Sequence, residues 1–328
     1  MTQSTVRRPR RRVVVRRLGH GLLVVSLAAG TGAVFLRVVS PAQELPGLAL
    51  LAAFIPFGMG AWLLAVALAA GLHRRWVALA AVAGLAVQIS WIAPYYRADA
   101  GGSTGQPVHL AAINILGGAS DVTELTAQVR TADIVILTEY ESVTAAEVAR
   151  AGWASRFPYT VGAAGTDGVS GSIIFSRFPI RQLAQLPTRF RSYAVEVTPA
   201  GAQPFVLLAV HPLNPLYGTD VWRAEAEVIA HSAASFAGRP LVLAGDLNST
   251  PDHVTVRAIL RRGALRSAAD AAGAGWLRTY PDNSLLPRLI PLDQILIGGG
   301  VRATKVETFP APRSDHAGIR AELLIPTD

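Results

Sequence analysis

Six short apolar runs in this chain carry a polar residue at one end. Asn114 lies near the end of Val108–Ile115, Glu139 follows I-V-I-L-T, and His211 follows F-V-L-L-A-V. Asp246 and Asn248 follow L-V-L-A-G, Asp293 precedes Q-I-L-I, and Asp315-His316 precede the last run, Ile319–Ile325. Each has an ordinary reading when taken alone. An Asn after a strand is a turn residue, an Asp caps the next segment, and a lone His is more often structural than catalytic. Six run ends bearing Asn, Glu, His, Asp/Asn, Asp and Asp-His are harder to assign to turns. Carboxylates and amide oxygens are hard ligands suited to Mg²⁺, or Mn²⁺ in its place. Two histidines among acids suit proton handling or phosphate contact near neutral pH.

Other chemistries are excluded. The chain has no Cys, so thiolate catalysis, Cys-ligated zinc and disulfides are ruled out. It has no H-E-x-x-H pattern and no defensible Ser-His-Asp spacing.

The elements that must position these residues are strands. Apolar runs at 108–115, 133–138, 172–175, 205–210, 241–244, 294–297 and 319–325 read as strands covered on both faces. Helical patterns lie between several of them, at 125–130, 144–151, 220–236 and 253–262. This predicts an α+β or α/β sandwich of two packed sheets with helices outside; periodicity alone does not separate it from a doubly wound sheet. Residues at strand ends on one sheet edge can converge on one pocket, held by the sheet.

The first third of the chain is different. Residues 18–96 are almost free of charge, and the mean hydropathy of the whole chain, +0.36, comes largely from them. Stretches at 18–36, 47–72 and 76–96 each approach the roughly 20 residues that cross a bilayer as a helix. Trp76 begins the third, and Trp91, Tyr95 and Tyr96 lie near its end, as interfacial rings would. A cleaved leader competes for the first stretch, but the other two would still hold the chain in the membrane. Seven Arg in 7–17 and the pair Arg74-Arg75 predict a cytoplasmic N-terminus, three crossings and an extracytoplasmic C-terminal region. Arg37, at the outer end of the first span, is expected to snorkel to the headgroups. The expected organisation is a basic tail (1–17), a three-helix membrane region (18–96), a Gly-rich linker (97–107) and a catalytic domain (108–328).

Charge follows the same division. Ten of the 30 Lys and Arg, but only one of the 22 acids (Glu44), lie in 1–96, so the remainder carries a net charge of −1. A domain that grips nucleic acid through its phosphates normally carries a basic excess.

N-I-L at 114–116, L-T-E at 137–139, H-P at 211–212, G-D-L-N at 245–248, L-D-Q-I-L at 292–296 and S-D-H at 314–316 stand in an order that resembles the endonuclease/exonuclease/phosphatase superfamily. The resemblance covers about 108–328. Either G-D-x-N or S-D-H alone is a weak signal; the ordered set is specific. It implies a four-layer α-β-β-α sandwich, here preceded by three transmembrane helices, and a divalent-metal-dependent phosphoesterase. It also implies roles. Glu139 is the main metal ligand, with Asn114 beside it and Asp315 supporting the metal or the neighbouring His. Asp246 orients or deprotonates the attacking water, Asn248 and His211 bond the phosphoryl oxygens, and His316 contacts phosphate and transfers a proton, oriented by Asp293. Two departures stand out. Leu116 occupies a position where some family nucleases have an acid, and the tyrosine that some of them use for phosphate contact has no clear match.

The layout of three spans and a domain also resembles actinobacterial teicoplanin-resistance membrane proteins of the same superfamily. Together these readings predict a multi-pass, membrane-anchored phosphoesterase acting outside the cytoplasm on a lipid-linked or cell-envelope phosphate, with a link to glycopeptide-antibiotic resistance. The bilayer and the phosphorylated substrate are the expected partners, nucleic acid is less favoured, and no protein partner is inferred. An extracellular nuclease is the first alternative. A non-enzymatic, membrane-anchored binding or immunity protein is the second, and the intact residue set argues against it.

Overall fold

A computed structural model describes residues 9–99, 104–282 and 286–327. The start of the basic tail and residues 100–103 of the expected linker lie outside the described residues.

The strands form two six-stranded mixed sheets. The first contains β1 (Gln106–Asn114), β2 (Ile134–Thr138), β3 (Tyr159–Ala163), β4 (Ser172–Ser176), β11 (Arg302–Phe309) and β12 (Gly318–Ile325), in the order β11-β12-β1-β2-β4-β3. The second contains β5 (Ile180–Leu186), β6 (Ser192–Val197), β7 (Phe205–Ala209), β8 (Leu241–Asp246), β9 (Arg266–Ser267) and β10 (Asp293–Gly298), in the order β5-β6-β7-β8-β10-β9.

Side chains alternate across each strand, which explains the continuous apolar runs. Val108, Leu110 and Ala112 of β1 and Phe205, Leu207 and Ala209 of β7 enter one core between the sheets. Ala111 and Ile113 of β1 face outward beneath α5 (Val122–Gln128), α6 (Ser142–Arg150) and α7 (Trp153–Arg156). Val206 and Leu208 of β7 face outward beneath α8 (Thr219–Ser235) and α9 (Val254–Arg262); the short α10 is Ala268–Ala271. The result is the four-layer α-β-β-α sandwich.

The N-terminal region holds α1 (Pro9–Val38), α2 (Pro46–Ala52), α3 (Gly58–Gly71) and α4 (Arg75–Ile92). Val13–Val38 and Arg75–Tyr96 are each long and apolar enough to cross a membrane. The stretch at 47–72 is not one straight helix: α2 and the segment leading into α3 meet at a bend of 62°, and they make a third span only if the bent pair is counted as one. Pro56, which has no N–H to continue a helix, lies in the 3₁₀ turn Ile55–Phe57 after the break. Trp62 of α3 packs with Leu23 of α1 and Ala81 of α4, so these helices form one apolar cluster.

This region is fastened to the sandwich by polar contacts. Thr219 Oγ1 donates to Glu44 O at 2.6 Å, and Arg223 pairs with the Glu44 carboxylate. Gln43 Oε1 accepts from Val254 N at 2.9 Å, and Arg257 Nη1 donates to Arg37 O at 2.8 Å. Arg37 does not simply snorkel toward headgroups. Its guanidinium pairs with the buried Asp252 and lies 5.3 Å from the Trp91 ring centroid. On the far side, Gly275 N donates to Tyr95 O at 2.8 Å, and Tyr95 stacks on Trp276 with 5.6 Å between centroids.

Candidate active site

Pairing directions explain why the polar run ends meet. β1 and β2 are parallel, with Asn114 opposite Thr138, so Asn114 and Glu139 emerge at the same edge. β7 and β8 are parallel in the other sheet, which brings His211 beside Asp246. β10 runs antiparallel to β8 with Asp293 directly opposite Asp246. β12 is antiparallel to β1, with Ile319 opposite Ala112, so the loop before it delivers Asp315 and His316 to the end of β1. Ser314 fixes that loop: its hydroxyl donates to Asn114 O at 2.7 Å and accepts from His316 N at 3.0 Å.

Asn114, Glu139, His211, Asp246, Asn248, Asp315 and His316 line one cavity of about 450 Å³, and Asp293 is hydrogen-bonded to His316 behind it. Two of them sit in the left-handed backbone region, Glu139 with φ 54° and Asn248 with φ 49°. Non-glycine residues rarely occupy it, and strain of this kind is concentrated at functional sites. Gly245 has φ 143°, and a Cβ there would run into Val210 O, so only glycine lets β8 pass β7 at the point where Asp246 leaves the sheet.

Asn114 links the two sheets. Its amide nitrogen donates to Glu139 Oε1 at 2.9 Å and to Asp246 Oδ2 at 3.0 Å, while Oδ1 accepts from Leu116 N at 3.0 Å. In this arrangement Asn114 offers the site donors. Serving as a metal ligand requires its amide to turn over and give up the Leu116 bond. Asp246 also accepts from Asn248 N at 2.8 Å, and Asn248 Nδ2 donates to Pro212 O at 2.9 Å.

The histidines are in opposite electrostatic states. His211 is fully buried, with its Nε2 3.8 Å from Asp246, and its Nδ1 has no hydrogen-bond partner among the described residues. Burial pushes its pKa down to about 4 against the pull of Asp246, so it is neutral at pH 7. His316 Nδ1 donates to Asp293 Oδ2 at 2.7 Å, and its Nε2 lies 3.7 Å from Asp246. Burial works against its charge, but Asp293, Asp246 and Asp315 outweigh burial and hold it up at about 10, so it is an imidazolium. Asp293 is oriented in turn, because the Thr279 hydroxyl accepts from both Leu292 N and Asp293 N at 3.1 Å. Glu139 is raised to about 7, first by burial and then by Asp246, against the Asn114 hydrogen bond.

The donor set fits a divalent cation. No Lys or Arg lines the cavity among the described residues, so His316 is the one full positive charge available to a phosphate there. Several carboxylates converge on the same space. Asp246, Asp293 and His316 are themselves spaced closely enough to hold an ion. The short Asp293–His316 hydrogen bond already occupies those two groups, which leaves the Glu139 side as the open one.

Several lining residues have no motif to announce them. Tyr280 lies 4.9 Å from the His316 ring, centroid to centroid, an aromatic at a site where the sequence has no recognisable phosphate-contacting tyrosine. Phe190 lies 4.7 Å from the His211 ring. Leu50, Ala53 and Phe54 come from the N-terminal region and line the same cavity.

Comparison with known proteins agrees with this architecture. A family model described as "Endonuclease/Exonuclease/phosphatase family" matches residues 111–316. No curated protein matches the chain. Among solved structures, TDP2 from C. elegans is 16% identical with a TM-score of 0.54, covering 66% of this chain and 75% of that one. D. rerio TDP2 complexed with single strand DNA product is 15% identical with a TM-score of 0.55, covering 66% of this chain and 99% of that one. Sphingomyelinase C from Streptomyces griseocarneus is 18% identical with a TM-score of 0.50, covering 66% of this chain and 99% of that one. At such identities the likeness concerns the fold.

Proposed function

The chain belongs to the endonuclease/exonuclease/phosphatase family, and on that premise we propose that it is anchored in a membrane and hydrolyses a lipid-linked phosphate at the bilayer surface. It is a metal-dependent hydrolase acting on phosphate ester bonds. One observation supports the lipid reading above others: the catalytic cavity lies against the apolar N-terminal helices and carries no Lys or Arg among the described residues. A phosphate reaching it meets one imidazolium and, among the described lining residues, none of the cationic side chains that track a polynucleotide. We read 18–96 as the anchor and 108–328 as the catalytic domain, with the anchor's Arg distribution placing that domain outside the cytoplasm.

Glu139, with Asp315 and a turned Asn114, would hold the ion, Mg²⁺ or Mn²⁺, which when bound supplies Lewis acidity and charge neutralisation. The chain's own groups do the rest. Asp246 is buried, yet His316, His211, Asn114 and the Asn248 amide hold its pKa below the usual carboxylate range. It stays an acceptor that orients a water for in-line attack. Neutral His211 and the second amide hydrogen of Asn248 donate to phosphoryl oxygens. The His316 imidazolium faces the same space, stabilises charge that develops there and gives its Nε2 proton to the departing oxygen. Asp293 keeps it charged and turned. A cell-wall lipid intermediate is the substrate that the resemblance to teicoplanin-resistance proteins favours.

The test is a substrate panel. Full-length protein and Glu139→Ala are incubated with Mg²⁺ and plasmid DNA, phospholipid vesicles or a polyprenyl diphosphate. Metal-dependent release from a lipid phosphate, lost in the variant, is expected. Cleavage of DNA alone would replace this reading with a nuclease, and no release from any substrate would favour a binding protein. An alkaline phosphatase fusion after Asp328 is expected to be active, and an inactive fusion would reverse the topology.

A further inference from the structure

The cavity is lined by residues of two chemical kinds. Glu139, Asp246, Asp315 and His316 are of one kind. Leu50, Ala53 and Phe54, from α2 and the turn after it, are of the other kind, together with Leu216 and Tyr217 of the turn Pro215–Tyr217, which α2 contacts. Leu50 and Phe54 are 40% and 41% exposed, and Leu216 and Tyr217 are 73% and 55% exposed. An apolar wall beside a charged centre suits a substrate that joins a phosphate to a hydrocarbon, since apolar exposure to water is unfavourable.

We infer that Leu50, Ala53 and Phe54 form the hydrocarbon subsite of this active site, receiving the chain of a lipid phosphate whose phosphate lies at Glu139 and His316. This rests on the lipid-phosphate reading above and specifies which part of the protein recognises the lipid. The placement of α2 carries the inference. The helix lies in sequence between two apolar segments long enough to cross a membrane, α1 and α4, and next to the bend that breaks 47–72. With α1 and α4 read as spans, a lipid chain would meet this wall without crossing water.

The wall is also locked to the catalytic loop. His253, seven residues after Asp246, accepts from Thr250 N at Nδ1 over 2.8 Å and donates from Nε2 to Ala49 O over 2.9 Å. Ala49 is the neighbour of Leu50 in α2. Gln43 and the Arg37–Asp252 pair tie down the turn before α2 in the same way. The distance between the apolar wall and the phosphate site is therefore set by hydrogen bonds and ion pairs, so the pocket measures a headgroup joined to a chain.

The test compares chain lengths. Full-length protein in lipid nanodiscs is given a polyprenyl diphosphate and a phosphatidylcholine, each in long-chain and short-chain form, and kcat/KM is measured for each. The wild-type protein is expected to prefer the long chain of the headgroup it hydrolyses. In Leu50→Ala/Phe54→Ala the long-to-short ratio of kcat/KM is expected to fall at least tenfold, mainly through KM for the long chain. Leu51→Ala, on α2 but outside the cavity, should keep the wild-type ratio. A double variant with the wild-type ratio overturns the subsite while leaving the lipid reading intact. A wild-type protein that hydrolyses long and short chains equally also overturns the subsite alone, whereas one that hydrolyses neither lipid and cleaves only single-stranded DNA, supplied in parallel, overturns both. Both altered side chains are substantially exposed, and an unchanged circular dichroism spectrum confirms that the double variant folds.

Discussion

Replacing Asp293 by Asn isolates the interaction that does most to hold His316 charged. Asp293 Oδ2 accepts the Nδ1 proton of His316 at 2.7 Å, and it is the largest of the attractions that hold this imidazole protonated up to about pH 10 despite burial. Asn keeps the shape and the acceptor oxygen but removes the charge. A hydrogen bond to a charged group is worth about 1.5–3 kcal/mol, which corresponds to about one to two pKa units. The sign follows from the proposed role of His316 as an acid. Activity is present while the imidazole is protonated and disappears as pH rises through its pKa. In Asp293→Asn the alkaline limb of the pH profile of kcat, at saturating Mg²⁺, should therefore lie about one to two units below that of the wild-type protein. The variant should be most impaired at pH 9 and least at pH 6, where the imidazole remains charged in both proteins. A limb that does not move, or a loss equal at pH 6 and pH 9, would refute a role for Asp293 in setting the charge of His316.

Three further outcomes follow from the geometry. Because burial and Asp246 raise Glu139 to about 7, protons compete with the ion, and Mg²⁺ affinity measured by calorimetry should weaken toward about tenfold per unit below pH 7; constant affinity from pH 5 to 8 would contradict this. Gly245→Ala should cost at least about 1–3 kcal/mol in a denaturant titration, since its Cβ meets Val210 O in a backbone region that L-residues avoid; wild-type stability would show that β8 can give way there. His253 is lowered to about 4 by burial, so its contribution to stability is complete above its unfolded pKa of about 6.5 and is lost as pH falls toward 4, up to about 3 kcal/mol. Thermal unfolding at pH 7 and pH 4.5 should show a larger acid loss for wild-type protein than for His253→Asn, and equal losses would dismiss the effect.

Much of the candidate site was legible in the sequence because its residues stand where buried strands end. β2, β7 and β8 are apolar on both faces and β1, β10 and β12 largely so, which makes Asn114, Glu139, His211, Asp246, Asp293 and His316 appear as breaks beside apolar runs. Strands β5 and β11 are edge strands whose solvent face carries Arg, Gln, Lys and Glu, and their patterns resemble loops. Asp252 and His253 look like part of a turn after G-D-L-N. Only the folded chain shows that they bind Arg37 and Ala49, more than 200 positions away. Leu50 and Phe54 were hidden differently. Inside an unbroken apolar stretch nothing distinguishes a residue facing lipid from one facing a cavity, and hydropathy does not register the bend near Pro56 that turns them toward the active site.

The central claim is that Glu139 and its neighbours hold a divalent ion that drives hydrolysis of a phosphate at a membrane surface. Phosphate-ester hydrolysis by full-length protein in lipid nanodiscs, with Mg²⁺, with EDTA and in Glu139→Gln, tests it most directly. The account predicts turnover of a lipid phosphate that EDTA abolishes, that Mg²⁺ restores, and that the variant lowers by at least about a hundredfold. Hydrolysis that survives EDTA, or a Glu139→Gln protein as active as wild type, would contradict it.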